Sequence, residues 1–478
     1  MCSAAEVASG DCVTAVRGDV GSSALEVLLA ELSGALPPDA VVTDPDLLAS
    51  YCRDESQFTD AATPIAVLAP RSTEEVAVCL RACAAAGVPV VTRGAGSGLS
   101  GGANAVADGV VLSTHRMNQI IDVDPVERLA VVQPGVVTAA LRAAVAEQGL
   151  LYPPDPGSVA MCSIGGNVAT NAGGMCCVKY GVTGDFVEAL EVVLADGRVL
   201  RTGTRTVKGV AGYDLTSLFV GAEGTLGVVT EITVRLVPAP RPPLTLVATF
   251  DELSAAGRAV AGIATARVAP SAVEILDRTT LRAVDDVARM DLGDAAAMLL
   301  VQADSSDAET LLATVEGICL QTGAADVAVS DDPDESTMLM EARRLALPAL
   351  ERLGTGWLLD DVCVPRARIV DLIEIVEGVA RQTGLTIGVF GHAGDGNLHP
   401  TVVFDQGVEE SRAAAHRAFD QITAAALELG GTITGEHGVG RLKAGWLTRE
   451  LDPVALEVQR NVRRTFDPAG LLNPGVQL

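Results

Sequence analysis

The sequence predicts an α+β protein with two main domains. Its 478 residues are enough for two or three domains, and 49% of them are apolar, which excludes a disordered chain. Helix-periodic and strand-like segments follow each other along the chain. A proline-rich break, PAPRPPL at 238–244, divides it. We therefore place a helical N-terminal segment at 1–45, one domain at 46–240 and a second at 241–478.

The first domain opens with a βαβ-like pattern. Residues 24–35 have helical periodicity and precede a Pro-Pro breaker. A helix is predicted from Ser72 or Thr73, where acids fill the first turn, to a stop at Gly87. Apolar runs predict strands at IAVLAP (65–70), VPVVTR (88–93), VVLST (110–114), AVVQPG (130–135), LEVVLADG (190–197) and LGVVTEITVRLV (226–237).

The second domain alternates strands and helices. Strands are predicted at LTLVATF (244–250), AAAMLLVQAD (295–304), TIGVF (386–390), LHPTVVF (398–404) and GGTIT (430–434). Helices are predicted after 250, around 335–353, 366–383 and 409–429, and from the loop after 434 to 465.

Composition excludes several classes of function. A net charge of −27 and only 3% aromatic residues argue against nucleic acid and anionic lipid as partners. No lysine stands in a Walker A pattern, which excludes a P-loop NTPase. Ten scattered cysteines without a CxxC pair indicate buried thiols, with no zinc ribbon or iron–sulfur ligation.

The sequence also predicts a cytoplasmic setting. MCSAAEVASGDC (1–12) lacks the basic and apolar regions of a signal peptide. The longest uncharged stretch, 156–178, contains five glycines and two asparagines, so we interpret it as a packed loop-and-turn segment and expect no transmembrane segment.

Three glycine-rich loops stand out in the first domain. RGAGSGLSGGA (93–103) follows a strand and lets backbone N–H groups approach a phosphate. It matches G-x-G-x-x-G, but too few residues follow for the crossover helix of a Rossmann unit, and a turn-rich connection is the alternative. PPDPGS…GGNVATNAGG (153–174) and GAEGTLG (221–227) add two more loops, and together the three could line a long phosphate-bearing ligand.

Between residues 64 and 237 these segments resemble the flavin-binding domain shared by vanillyl-alcohol oxidase and p-cresol methylhydroxylase. The resemblance implies a PCMH-type FAD-binding domain of two α+β subdomains. It also implies FAD that is not covalently attached, because Ser97 stands where covalent members carry His. The residues expected at FAD are Arg93, Gly94, Ala95, Gly96, Ser97, Gly98, Leu99, Gly101, Pro154, Asp155, Pro156, Gly157, Ser158, Gly165, Gly166, Asn167, Asn171, Gly173, Gly174, Tyr180, Gly181, Glu223, Gly224, Gly227, Val228 and Asn473.

Two of the five histidines form a candidate constellation. His392 and His399 flank a glycine-containing loop between two apolar strands, which favours a hairpin that brings both rings together. Glu436 and His437 lie in a second polar loop. Two His and one Glu suit a catalytic metal site, while hydrogen-bonded turn loops remain the alternative. His115 and His416 are expected to be plain surface residues.

GHAGDGNLHP (391–400), GGTITGEHGVGRLK (430–443) and FDPAGLLNPG (466–475) resemble the signatures of FAD-linked 2-hydroxy-acid dehydrogenases. That family includes the glycolate oxidase flavin subunit, D-lactate dehydrogenases and D-2-hydroxyglutarate dehydrogenases. The resemblance implies an α+β substrate (cap) domain with an antiparallel sheet and a C-terminal helical segment. It also implies that His392, His399 and Glu436 bind a divalent metal, zinc or another transition metal.

The implied reaction oxidises a 2-hydroxy acid to a 2-oxo acid. The metal would hold the carboxylate and hydroxyl of the substrate, His437 would remove the hydroxyl proton, and hydride would pass to flavin N5. Arg343 matches a family arginine that contacts the substrate carboxylate, with a helix-surface arginine as the alternative. Leu359 stands where the 2-hydroxyglutarate enzymes carry lysine, which favours D-lactate or glycolate and leaves D-2-hydroxyglutarate as the alternative substrate.

Two rival readings belong to other classes. Alkylglycerone-phosphate synthase, a non-redox transferase, has His-His-Gly where this chain has Glu436-His437-Gly438. A non-catalytic flavin subunit of a complex is the second rival, and it has no need for the His/His/Glu/His set. Because the chain lacks CxxC clusters, we expect a separate electron acceptor: a quinone, a cytochrome or an electron-transfer flavoprotein. Association with a membrane through that acceptor, and a homodimer, are both compatible with the sequence.

Overall fold

The structure, a computed structural model, describes residues 22–290, 295–330 and 332–478, with side chains from Leu25 onward. The segment 1–12, with Cys2 and Cys12, lies outside the described residues. The eight described cysteines are free thiols. Within the described ranges, no helix is both long and apolar enough to cross a bilayer.

The first domain contains two sheets and a short ribbon. The four-stranded sheet has the order β1-β2-β4-β3 and comprises β1 (Val41–Val42), β2 (Ala66–Leu68), β3 (Val90–Arg93) and β4 (Val110–Ser113). The antiparallel five-stranded sheet (β5-β6-β10-β8-β9) and the β7–β11 ribbon comprise β5 (Ile120–Asp124), β6 (Leu129–Val132), β7 (Leu150–Leu151), β8 (Val187–Val193), β9 (Val199–Gly203), β10 (Val228–Arg235) and β11 (Val237–Pro238).

The second domain is built on one antiparallel sheet. Its strand order is β15-β12-β14-β13-β18-β19-β16, and β17 pairs with β19. The strands are β12 (Leu244–Phe250), β13 (Ala272–Asp277), β14 (Ala297–Ala303), β15 (Asp326–Val329), β16 (Gly356–Leu359), β17 (Val362–Cys363), β18 (Thr386–His392) and β19 (Asn397–Phe404).

Helices cover the sheets of both domains. The first domain and its N-terminal segment contain α1 (Ser22–Ala35), α2 (Pro45–Ala49), α3 (Thr73–Ala86), α4 (Thr138–Ala146), α5 (Ile164–Thr170), α6 (Cys177–Tyr180) and α7 (Leu215–Phe219). The second contains α8 (Leu253–Thr265), α9 (Arg278–Ala288), α10 (Ala308–Thr322), α11 (Pro333–Arg344), α12 (Ala346–Glu351), α13 (Ile369–Thr383), α14 (Glu409–Glu428), α15 (Leu447–Glu450) and α16 (Pro453–Phe466). Short 3₁₀ turns occupy Thr183–Phe186, Arg366–Arg368 and Ala444–Trp446.

The βαβ-like opening is confirmed. Helix α3 begins after Ser72, whose side chain caps Glu75 N, and ends at Gly87, which adopts the left-handed conformation with φ +67°. Strands β2 and β3 both pair parallel with β4. The chain between β3 and β4 contains no helix, so the connection lacks the crossover helix of a Rossmann unit, as predicted.

Two predictions are wrong in detail. GGTIT forms no strand, because it has only an isolated bridge from Thr432 to Cys363. The backbone N–H of Ile433 donates to the Glu450 carboxylate at 2.9 Å and is therefore not available for pairing with a neighbouring strand. The segment 156–178 is not only loop and turn: it contains α5, which begins where the Ser163 side chain accepts a hydrogen bond from Gly166 N.

Strand alternation gives the large sheet two different faces. One face buries the apolar side chains of Leu246, Val273, Ile275, Val389 and Leu398 in a core with α8, α10, α13 and α14. The opposite face carries the alternate residues, which include Glu274, Phe390, His392 and His399. This second face, which we call the polar face, positions the candidate site.

Candidate active site

The polar face brings two histidines together through a hairpin. His392 ends β18 and His399 lies in β19, and the turn 393–396 joins the strands. The backbone N–H groups of Asp395 and Gly396 both donate to His392 O at 3.0 Å, which closes the turn. The two imidazole centroids are 5.1 Å apart. The predicted hairpin is confirmed, and both histidines are buried.

A buried carboxylate holds the loop that carries Glu436 and His437. Asp361 Oδ2 accepts the backbone N–H groups of 435, 436 and 437 at 2.8–2.9 Å and the Thr434 hydroxyl at 2.7 Å. Burial alone would raise the pKa of Asp361, but His437, Lys443 and His399 outweigh it and hold that pKa well below its usual range. The ionised carboxylate therefore fixes the loop backbone.

Lys443 also stabilises the loop that carries Glu436 and His437. Its side chain is only 3% exposed, and its Nζ lies 2.6 Å from Asp360 Oδ1. The ammonium also donates to Asp361 O at 2.7 Å and to Ile433 O. Asp360 Oδ2 accepts from the Thr423 hydroxyl of α14 at 2.9 Å, so both members of this buried pair are satisfied.

The three predicted metal ligands converge on one point. Glu436 Oε1 lies 3.1 Å from His392 Nε2 and 3.3 Å from His399 Nε2. One ligand atom from each lies within 4.8 Å of the others. His437 stacks on His399 with ring centroids 5.0 Å apart, and its Nε2 is 3.8 Å from Glu436 Oε1. The structure thus places the predicted base beside the predicted ligands.

Electrostatics differ between the two histidines. Burial lowers the pKa of His399 to about 4, so this ring is neutral. Burial opposes a charge on His392 too, but Glu274 and Glu436 outweigh it and raise the pKa of His392 to about 10. The pKa of Glu436 lies well below its usual value, because His392 outweighs the effect of burial. The cluster is therefore rich in ionised carboxylates that favour a cation.

Arg343 reaches this cluster from α11. It is buried, and its Nε donates to Glu274 Oε2 at 2.5 Å. Its guanidinium carbon lies 4.7 Å from the centroid of the Phe390 ring. This placement is not that of a helix-surface arginine, because Arg343 borders the same cavity as His392, His399 and His437.

One cavity of about 870 Å³ joins the glycine loops to this cluster. Its wall includes all three predicted metal ligands and both predicted catalytic residues. Of the predicted cofactor residues, it includes Gly94, Ala95, Gly96, Ser97, Gly98, Leu99, Asp155, Pro156, Gly157, Ser158, Gly165, Gly166, Asn167, Gly173, Glu223, Gly224, Gly227 and Asn473. The predicted loops and the predicted site therefore share one space.

The other predicted cofactor residues lie behind this wall. They are Arg93, Gly101, Pro154, Asn171, Gly174, Tyr180, Gly181 and Val228. Tyr180, for example, donates its hydroxyl to Asp304 Oδ2 at 2.5 Å, and Asn171 Oδ1 accepts from Gly184 N at 2.7 Å. Arg93 donates to Ala103 O at 3.4 Å beneath the first loop. In the structure these residues support the loops and do not border the cavity.

Sequence reasoning assigned no role to two buried acids, Glu274 and Asp361. Glu274 is a single carboxylate in the apolar strand AVEILD, and Asp361 is the second of an Asp-Asp pair that follows an apolar strand. A single acid among the apolar residues of a strand could have indicated a functional residue, because an unpaired buried charge is costly and such an acid needs a partner. The partner of each acid could not be identified from the sequence.

Comparisons with known proteins agree with this architecture. Residues 64–203 match a family described as FAD binding domain, and residues 239–476 match FAD linked oxidases, C-terminal domain. The chain is 44% identical to glycolate oxidase subunit GlcD of Bacillus subtilis (strain 168), over 86% of this chain and 88% of that protein. It is 34% identical to a D-lactate dehydrogenase of Anaerostipes hadrus, over 92% and 95% of the two chains.

Among solved structures, p-cresol methylhydroxylase superposes with a TM-score of 0.78 at 19% identity, covering 96% of this chain and 97% of the other. An alkyldihydroxyacetonephosphate synthase gives 0.73 at 19% identity, covering 94% and 85%. At this identity the similarity shows the fold alone. The PCMH-type α+β fold predicted from the sequence is confirmed.

Proposed function

We propose that this chain, which belongs to the family of FAD-linked 2-hydroxy-acid dehydrogenases, oxidises D-lactate or glycolate to the 2-oxo acid with the help of a divalent metal. That family includes glycolate oxidase subunit GlcD and D-lactate dehydrogenase. One observation carries the proposal. The His392, His399 and Glu436 ligand atoms converge in the cavity that the glycine loops line, with His437 and Arg343 on the same wall.

The first part of the cavity fits FAD, which the matching FAD-binding family implies for this chain. Its wall there is rich in glycine, and a Cβ on Gly94 would come within 2.5 Å of Ser163 Oγ. Because glycine has no side chain, the backbone N–H groups of these loops can come close to a pyrophosphate and donate to it. Ser97 borders the cavity, and a serine offers no imidazole for a covalent flavin link, which supports dissociable FAD.

The donor set fits a transition metal such as zinc. Two imidazole nitrogens and one carboxylate oxygen leave a fourth position open for a substrate, as catalytic metal sites do. Charge supports the same conclusion. Glu274 and Asp361 are buried acids at the cluster, and Glu436 is 12% exposed. Among the described residues, Arg343 pairs with Glu274, while Lys443 pairs with Asp360. A dication would offset the excess negative charge.

The roles of the side chains follow from their positions. Bound FAD would supply the hydride acceptor, and a metal held by His392, His399 and Glu436 would supply a Lewis acid for the substrate hydroxyl. His437 faces the ligand cluster and accepts the hydroxyl proton. Arg343 uses Nε for Glu274, so its terminal nitrogens are the ones available to the substrate carboxylate. Phe390, under the guanidinium, limits its movement.

The cavity wall favours a short, singly charged acid. Leu359, Trp357, Leu347 and Phe390 border the same cavity as Arg343, and Phe390 lies under its guanidinium. A second carboxylate placed against these apolar side chains would be buried without a partner, at a cost of several kcal/mol. This supports D-lactate or glycolate over D-2-hydroxyglutarate. The intact His and Glu set also speaks against a non-catalytic flavin subunit.

Reoxidation requires a second component. We propose a separate acceptor, either a quinone, a cytochrome or an electron-transfer flavoprotein, because no CxxC cluster for an iron–sulfur centre occurs in the sequence. The word "subunit" in the name of the GlcD relatives is in keeping with such a partner. A cytoplasmic location remains part of the proposal.

The deciding experiment follows flavin absorbance under anaerobic conditions. The FAD-loaded protein is mixed with D-lactate or glycolate, with and without prior chelation. Bleaching that chelation abolishes supports the metal-dependent reaction. Bleaching that survives complete metal removal contradicts the metal proposal, and no bleaching by either acid in a metal-loaded protein contradicts the proposed substrates.

His437→Ala tests the base separately. We expect FAD and metal to stay bound while turnover falls by about 10²- to 10⁴-fold, the usual contribution of a general base. His416→Ala is the matched control, because His416 is exposed on α14. Turnover near that of the control would remove His437 from the mechanism.

A further inference from the structure

The proposed reaction assigns no role to Glu274, a buried acid. It lies at the centre of β13, directly opposite His392 of β18, and its side chain is 0% exposed. Its neighbours in the strand are apolar, and both faces of the sheet are covered. Because an isolated ionised carboxylate is costly to bury, its partners should explain its presence.

The two oxygens of Glu274 have different partners. Oε1 accepts a hydrogen bond from His392 Nδ1 at 2.8 Å, and Oε2 accepts one from Arg343 Nε at 2.5 Å. One carboxylate thus bridges a predicted metal ligand and the predicted substrate-binding arginine.

Each hydrogen bond sets an orientation. With Nδ1 bonded to Glu274, the His392 ring turns Nε2, the nitrogen that would bind the metal, toward Glu436 Oε1 at 3.1 Å. With Nε bonded to Glu274, the Arg343 guanidinium is held over the Phe390 ring at the wall of the cavity. Among the described residues, Glu274 is the only side chain hydrogen-bonded to Arg343, and the only other side-chain partner of His392 is Glu436, itself a predicted metal ligand.

We propose that Glu274 is a positioning residue that sets the metal ligand His392 and the substrate-binding Arg343 together. The inference rests on the proposed function, because it takes the metal and carboxylate roles from it. A carboxylate is required at this position, since each oxygen must accept a bond. A glutamine can accept from only one of the two donors and would present its own N–H groups to the other.

The variant Glu274→Gln separates this role from simple packing. We expect a 10- to 100-fold loss of metal affinity, as for partners that orient a metal-bound histidine. We also expect weaker binding of oxalate, a carboxylate probe that cannot donate a hydride, and a raised KM for the hydroxy acid. FAD content should not change, because Glu274 does not border the cavity.

Asp277→Asn is the matched control. Asp277 ends the same strand and is equally enclosed, but it caps α9 through Thr280 N at 2.8 Å and touches neither His392 nor Arg343. Metal affinity is measured by competition with a chromophoric chelator, and oxalate affinity by the change in flavin absorbance. Both affinities should fall in Glu274→Gln and stay at the wild-type level in Asp277→Asn.

Two results would overturn the inference. One is a Glu274→Gln protein with wild-type metal and oxalate affinities, and the other is an equal loss in the Asp277 control. If Glu274→Gln does not fold, Glu274→Asp, which keeps both acceptors on a shorter arm, must still lower both affinities. A wild-type protein that binds no metal would instead contradict the proposed metal site, and the oxalate comparison would then decide the role of Glu274 at Arg343.

Discussion

The two walls of the cavity are built from different parts of the polypeptide. The flavin wall is rich in glycines from three loops, and a Cβ at Gly94 would overlap Ser163 Oγ. The opposite wall is made of ionisable side chains, from the polar face of the sheet and from the loop held by Asp361. The first wall depends on the absence of side chains, and the second on their charge balance. Substitutions should therefore separate flavin binding from metal binding.

Glu436→Gln is expected to have the largest effect, and on the side-chain wall alone. Removing the one anionic ligand should weaken metal binding by more than the 10- to 100-fold that the loss of an orienting partner causes. Turnover should fall with it, while FAD stays bound. Metal content and flavin content, measured on the same sample, check the expected loss of metal and the expected retention of FAD. Loss of FAD in this variant would contradict the separation of the two walls.

Lys443→Met tests the buried Lys443–Asp360 ion pair that stabilises the side-chain wall. The substitution leaves the carboxylate of Asp360 buried without its cation, which should lower the free energy of unfolding by about 3–5 kcal/mol. Denaturant unfolding gives the value. Arg198→Met is the control, because the Arg198–Asp196 pair is exposed and should contribute less than about 1 kcal/mol. Equal effects of the two variants would show that the buried pair stabilises no more than a surface pair.

Sequence patterns predicted the flavin wall better than the opposite one. Glycine loops are contiguous motifs, and 18 of the predicted cofactor residues border the cavity. The His392 and His399 hairpin also followed from local pattern, because apolar strands flank a glycine turn. Glu274 lies 118 residues from His392. Only the strand order, which places β13 beside β18, brings these two residues together.

Two local features could not be predicted from the sequence for a similar reason. GGTIT has the β-branched composition of a strand, yet the Glu450 carboxylate takes the Ile433 N–H that a ladder would need. Tyr180, predicted to lie at FAD, ends α6, and its hydroxyl donates to Asp304 of the other domain. In both cases a distant carboxylate decides the local structure, and no local pattern contains that information.

Gly94→Ala tests the flavin wall. The new methyl group would overlap Ser163 Oγ, and relief of such crowding typically costs about 1–3 kcal/mol. We expect the loop to move to relieve it, and FAD affinity to fall as a result. Metal affinity should not change. Gly317→Ala is the control, since its Cβ would meet nothing within 4 Å and it lies in α10. Equal FAD affinity in both variants would mean that the loop accommodates the methyl group without weakening FAD binding.

The smallest expected effect is a pH dependence at the junction of the two walls. Glu223 borders the cavity, and its carboxylate accepts from Gly440 N at 3.0 Å, just beyond the loop that carries His437. Burial raises the pKa of Glu223 to about 7 from 4.5. The folded state therefore binds this proton more tightly than the unfolded state does. Stability from this group is greatest at low pH and is lost as pH rises through 7.

Glu223→Gln removes that titration while keeping an acceptor for Gly440 N. The difference in unfolding free energy between wild type and variant should change by about 1 kcal/mol between pH 6 and pH 8, with the wild type losing stability as pH rises. Other titrating groups are common to both proteins and cancel in the difference. Parallel stability curves would mean that Glu223 is already ionised in the fold at pH 6. The Gly440 contact would then hold the two walls together at every pH in this range.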